Sequence, residues 1–165
     1  RVKNGIGVVP RGTPRVLVSG SPMAIPNWKL HSIIEGSGAV VVGEESCVGE
    51  RNFHAHLDEF SSLDEAMQKI ADRYLAINCA CFTPNDERFE DIKAMAGTLH
   101  ANGVIHYALQ FCTPYLIEAF RARNAVEEAG WPFLRLETDY SMEDVGQLKT
   151  RVEAFIEMIR DGKRA

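Results

Sequence analysis

Four short apolar runs, each divided from the next by at least one stretch of helical periodicity, constrain this chain more than any other feature. They are Arg15-Val16-Leu17-Val18-Ser19, Ala39-Val40-Val41-Val42, Val104-Ile105-His106-Tyr107-Ala108-Leu109 and Phe133-Leu134-Arg135-Leu136. Strands separated by helices must be joined by crossovers, and crossovers make a sheet parallel. The expected fold is α/β: a Rossmann-like three-layer domain with a four-stranded parallel sheet, strand order 2-1-3-4, and helices on both faces.

The segments between the runs supply those helices. Leu30, Ile33 and Ile34 share one face of a helix from about Asn27 to Glu35, closed by Gly36 and Gly38. Ser62 and Glu65 form a capping box ahead of Leu63, Ala66, Met67, Ile70 and Tyr74, a spacing that predicts a buried stripe. A helix from Asp86 carries Phe89, Ile92, Ala96 and Leu99 inward. Pro114 opens the next, with Thr113 as its N-cap and Gly130 beyond its end. Ser141 caps the last, whose core residues are Val145, Leu148, Val152, Phe155, Ile156 and Ile159. The unbroken run Ala39–Val42 suits a strand covered on both faces.

At 165 residues and 45% hydrophobic, the chain suits one domain with a sizeable core. A net charge of −5 argues against nucleic acid or an acidic membrane surface as partner. No run approaches the roughly 20 apolar residues of a membrane helix. Residues 1–14, with Gly5, Gly7, Pro10, Gly12 and Pro14, have the composition of a connector. The chain opens on Arg1 with no signal-peptide pattern, so the expectation is a fragment: a linker from a missing N-terminal domain, then one domain over 15–165. Four cysteines among alternating strands and helices do not resemble a secreted disulfide scaffold, and a reducing cytoplasm is expected.

Ligands of such a sheet bind outside the carboxyl ends of its strands. The residues placed there are Gly20-Ser21-Pro22, Glu44-Glu45-Ser46-Cys47 and Gln110-Phe111-Cys112. Cys112 stands near a helix N-terminus, where the dipole favours thiolate, the form that binds iron; a small packed hydrophobe is an equal alternative from position alone. Cys47 lies in a polar loop, unlike most structural cysteines. Cys79-Ala80-Cys81 presents two sulfurs in a turn, at a spacing other than the C-x-x-C of ordinary zinc sites. A structural zinc on all four thiols is the rival, since soft thiolates serve zinc and iron–sulfur clusters alike. His54 and His56 lack a third ligand and read as a solvated loop, and His106 reads as a satisfied buried histidine. Gly20-Ser21-Pro22 lacks the dinucleotide fingerprint, so no NAD is expected. Glu44, Glu45 and Glu50 read as solvated carboxylates whose charge would lower the potential of a nearby cluster.

These segments resemble those of the 2-hydroxyacyl-CoA dehydratase, benzoyl-CoA reductase and double-cubane cluster proteins. Arg15–Gly20 with Pro22 resembles the family's first strand, and Cys47-Val48-Gly49-Glu50-Arg51 its Cys-Thr-Gly-x-Arg loop. Phe111-Cys112-Thr113-Pro114-Tyr115 resembles its Phe-Cys-Asp-Pro segment, with Thr113 in place of Asp. Glu137-Thr138-Asp139-Tyr140-Ser141 followed by Gly146–Phe155 is similar to its C-terminal signature. The resemblance spans about residues 15–160.

The resemblance implies a cluster held by cysteines of two similar domains and charged with electrons by an ATP-hydrolysing iron–sulfur activator. Cys47 and Cys112 match the family's ligands. Cys79 and Cys81 look like the branch with a double-cubane cluster, which puts simple dehydration in doubt. The leading expectation is thus the C-terminal cluster-binding domain of an ATP-activated, low-potential iron–sulfur reductase, dimeric at full length. A 2-hydroxyacyl-CoA dehydratase component, removing water through a radical, is the second reading, and a zinc-stapled structural domain the third. The fragment alone is expected to be inactive and without its cluster. Arg51 and Arg151 are candidates for structural or cluster-facing roles, the surface reading being favoured for Arg151.

Overall fold

A computed structural model describes residues 2–52 and 56–162. The elements are β1 (Arg15–Gly20), α1 (Lys29–Gly36), β2 (Val40–Glu45), α2 (Leu63–Leu75), α3 (Asp86–Thr98), β3 (Gly103–Leu109), α4 (Thr113–Glu128), β4 (Phe133–Thr138) and α5 (Val145–Gly162). Single 3-10 turns occupy Val2–Asn4 and Glu50–Asn52. The strands pair in the order β2-β1-β3-β4, all parallel, as the crossovers require.

Side-chain alternation sorts the core into two layers. Val16 and Val18 of β1, with Ile105 and Tyr107 of β3, pack against Leu30 and Ile34 of α1 and Leu148, Val152 and Ile156 of α5. Leu17 and Val104 face the other way, onto Phe89, Ile92 and Ala96 of α3 and Ala122 and Val126 of α4. The strand order reverses between β1 and β3, which opens a crevice at their carboxyl ends. Close approach there requires Gly20: it takes φ 122°, and a Cβ would lie 1.8 Å from the Tyr107 carbonyl oxygen.

Three local expectations are corrected. β2 is an edge strand and mostly half-buried, not covered on both faces. It also carries a bulge: Val16 pairs with Val41 but Leu17 with Gly43, so Val42 is extra. α2 has its Ser62 cap, yet Leu63, Met67 and Tyr74 are exposed and only Ala66 of the helix is buried. Each face of the sheet is already covered by two other helices, which leaves α2 no apolar surface to pack on. α5 begins at Val145 without a Ser141 cap; Ser141 Oγ instead accepts from the Glu143 N–H at 3.5 Å, in the turn before it. Among the described residues no helix is long and apolar enough to cross a membrane.

Candidate metal centre

The three cysteine-bearing segments meet at the carboxyl edge of the sheet. Beyond β2 the chain turns sharply through Ser46–Gly49, the Gly49 N–H donating to the Ser46 carbonyl at 3.1 Å. A Cβ at Gly49 would lie 2.1 Å from the Glu44 carbonyl oxygen, so only glycine lets this loop fold back and hold Cys47 at the edge. Beyond β3, Phe111 adopts a left-handed φ of 66° and is almost wholly exposed. Cys112 then becomes the N-cap of α4, one residue earlier than the expected Thr113, and its side chain makes no capping bond. Its sulfur is thus left at the helix N-terminus for other work. Ala80 is buried with Ala108 and Tyr115, and Cys112 packs on the same small cluster. With Ala80 as pivot, Cys79 and Cys81 flank a point beside Cys112.

The thiols sense one another. Cys47 and Cys79 are within hydrogen-bonding reach, as are Cys79 and Cys81, while Cys81 feels the charge of both Cys112 and Cys47. None forms a disulfide. Burial raises the Cys47 thiol above its ordinary value, and the bond to Cys79 does the same for Cys81. Cys79 goes the other way. Burial opposes its ionisation, but the N–H and thiol of Cys81, the Arg51 charge and the Tyr115 hydroxyl outweigh it and lower its pKa. Cys79 should therefore ionise ahead of Cys47 and Cys81 as pH rises. Alkylation of the metal-free chain, followed by peptide mass spectrometry, should show Cys79 modified ahead of Cys47 and with a lower pH midpoint. The same midpoint at both would contradict this ordering.

Beneath the sulfurs lies a buried ionic network that the sequence reading did not anticipate. Glu45, read as a solvated carboxylate, is 1% exposed. Its carboxylate pairs with Arg51 and, at 2.9 Å, with Arg88, and accepts the Ser19 hydroxyl at 2.6 Å. Arg88, fully buried, also meets Glu118 at 2.5 Å. Asn85 closes the chain, donating to Glu118 at 2.7 Å and to the Cys79 carbonyl at 2.9 Å. Tyr115 lies against both guanidiniums, 5.0 Å from Arg88 and 6.0 Å from Arg51 measured to its ring centre. The negative charge expected to lower a cluster's potential is thus matched at Glu45 by two arginines. Two charged side chains standing in apolar stripes were the available signal. Arg88 precedes Ile92 and Ala96 at four-residue steps, and Glu118 precedes Ala122 and Val126 likewise.

The other candidates fall outside this cluster. Glu44 faces α1, within 3.3 Å of His31 Nε2, and that contact, against some burial, lowers its pKa. Glu50 is half-buried on the 3-10 turn. His54 lies outside the described residues, and His56 is exposed. His106 is buried within β3, as expected, its ring stacked on Phe133. Arg151 donates to the Arg135 carbonyl at 2.6 Å on the surface, remote in role from the thiols. The run Thr138–Ser141 is held by buried Lys29, whose ammonium donates to Thr138 Oγ1, the Asp139 and Ser141 carbonyls and Asp144.

The chain is thus a parallel α/β domain that brings its four cysteines over a buried ionic network at the carboxyl edge of the sheet. Residues 1–159 match the model of the 2-hydroxyglutaryl-CoA dehydratase D-component family, and the chain belongs to that family. It is 39% identical over 147 residues to a putative dehydratase subunit, YjiM, of Escherichia coli (strain K12), covering 88% of this chain and 38% of that protein. It is 27% identical over 146 residues to the (R)-phenyllactyl-CoA dehydratase beta subunit of Clostridium sporogenes, with the same coverage. This chain therefore spans about two-fifths of the length of the curated relatives it matches. Among solved structures, the rubredoxin oxygen:oxidoreductase of Desulfovibrio gigas aligns with 93% of this chain and 38% of its own at TM-score 0.44 and 14% identity.

Proposed function

We propose that this chain is the cluster-binding domain of an ATP-activated, low-potential iron–sulfur reductase within the dehydratase family, with Cys47, Cys79, Cys81 and Cys112 as iron ligands. The observation that carries the reading is the convergence of four thiols from three loops on one sheet edge. The donor set fits. Soft sulfur is what iron–sulfur clusters take. Among the described residues no group of three or more His, Cys, Asp or Glu side chains is arranged to hold a single metal ion. When bound, such a cluster supplies single electrons at low potential.

The chain's own residues do the remaining work. Tyr115 and Arg51 hold the Cys47 and Cys79 loops against α4, and the buried network keeps water from the inner side of the sulfurs. Val48, Phe82 and Phe111 are exposed apolar side chains on the same three loops, suited to meeting the rest of the polypeptide or a partner subunit. An ATP-hydrolysing iron–sulfur activator is the proposed source of electrons.

A second reading, a 2-hydroxyacyl-CoA dehydratase component, draws on the names of both relatives. Metal analysis of the anaerobically purified full-length protein separates the two. About eight irons per chain supports the reductase with a double cubane and about four the dehydratase, while zinc would sink both. Replacing Cys112 with Ser should remove most of the iron, since a hydroxyl is a poor substitute for a soft thiolate. Unchanged iron and colour would take Cys112 out of the ligand set.

A further inference from the structure

Arg51 is placed to do more than support a loop. Its guanidinium is 6% exposed as a residue, and all five of its N–H groups are engaged. Nε and Nη2 bind the Glu45 carboxylate, and Nη2 also reaches the Glu45 carbonyl at 3.5 Å. Nη1 donates to Tyr115 Oη at 3.1 Å and to Cys47 Sγ at 3.5 Å. The fork is planar and rigid, so with four donors anchored the fifth has one direction available, and that direction is the sulfur. Burial works against the charge, but Glu45 and Tyr115 outweigh it and raise the arginine's pKa, so the group is a permanent cation.

The network behind Arg51 makes this donor effective. Two arginines and two glutamates balance: Glu45 lies between Arg51 and Arg88, and Glu118 beyond them. The assembly is neutral overall, with its positive end at the sulfur. A plain carboxylate beside the thiols would repel added electrons; this arrangement attracts them.

We propose that Arg51 is a positioning residue which, anchored by Glu45 and Tyr115, donates a hydrogen bond to the Cys47 sulfur and raises the reduction potential of the cluster that sulfur binds. This rests on the iron–sulfur reading above. The reduced cluster carries one more negative charge than the oxidised one, so a fixed cation and N–H donor at a ligand sulfur stabilise the reduced form more. Arg51 thereby sets how much driving force the electron donor must provide.

The test uses the full-length protein purified without oxygen, as wild type, Arg51→Gln and Arg51→Lys. Iron content, circular dichroism and the midpoint potential from a redox titration followed by electron paramagnetic resonance are measured for each. The Gln variant should keep its fold and its iron and show a potential lower by at least a tenfold change in the reduction equilibrium, about 59 mV for one electron. The Lys variant, which keeps a charge but not the fork, should fall between. If the Gln variant does not hold iron, the shift in the Lys variant alone decides. An unchanged potential in iron-replete variants overturns the role of Arg51 while leaving the cluster reading intact. Loss of iron from both variants with the fold retained overturns it in favour of a purely structural arginine. A wild type without iron instead overturns the cluster reading itself.

Discussion

Replacing Arg88 with methionine should destabilise the 165-residue chain by about 3–5 kcal/mol, the usual cost of stranding a buried charge by removing its partner. Arg88 is fully buried and touches Glu45, Glu118, Ser19 and the Tyr115 ring. Without it, among the described residues, Glu118 keeps the Asn85 amide, and Glu45 keeps Arg51 and Ser19. In urea the midpoint should fall by roughly 2 M, given a typical slope of about 2 kcal/mol per molar. The pairing predicts a compensation as well. Arg88→Met combined with Glu118→Leu leaves one arginine facing one glutamate, and this double variant should be more stable than Arg88→Met alone. A loss below about 1 kcal/mol in the single variant would mean the pair behaves as an exposed one.

Acidification should weaken the fold well before the carboxylates are protonated. Burial, and then the nearby Arg88 charge, lower the pKa of His106 from 6.5 to about 3. Between those values the unfolded chain binds a proton that the folded chain refuses. Stability from this group is therefore complete above pH about 6.5 and is lost progressively as pH falls toward about 3. The full loss is about 5 kcal/mol at roughly 1.4 kcal/mol per unit, of which about 2 kcal/mol falls above pH 5. The lowered pKa of Glu44 adds its own loss only below its ordinary value of 4.5, so the upper window isolates the histidine. The ring stands 3.4 Å from the Tyr115 carbonyl through Nε2 and 3.4 Å from Ser19 Oγ through Nδ1. His106→Gln keeps a donor of similar reach and removes the titration. Urea unfolding at pH about 7 and about 5 should show a smaller difference in the variant than in the wild type, and equal differences would refute the assignment.

The parallel sheet and its order were legible because each apolar run is followed by a helix-period segment, which leaves few ways to connect four strands. The cysteine edge was legible for a related reason: strand ends and loop positions are set by that topology, so Cys47 and Cys112 had to share it. The ionic network was not. Glu45 and Arg88 lie 43 residues apart and meet only through the sheet and α3. In the sequence Glu45 sits in an acidic stretch that looks solvated. α2 misled for the opposite reason. Its apolar spacing is genuine, but amphipathicity states what a helix can bury and not whether a surface is available. The Cys112 cap was missed by one residue because Thr-Pro is a strong local signal, whereas the left-handed Phe111 turn that moves the helix start is invisible in composition.

The extra residue in β2 has a consequence for which carboxylate the interior receives. With uninterrupted alternation after Val41, Glu44 would face α3 and Glu45 would face α1. Val42 and Gly43 share one side of the strand, which advances the alternation by one residue, so Glu44 meets His31 and Glu45 meets the two arginines. Two chemically identical neighbours thus hold unlike posts: one pairs with an imidazole at the rim, the other anchors the guanidinium aimed at Cys47. A phase error of a single peptide would exchange them without altering the composition of the strand.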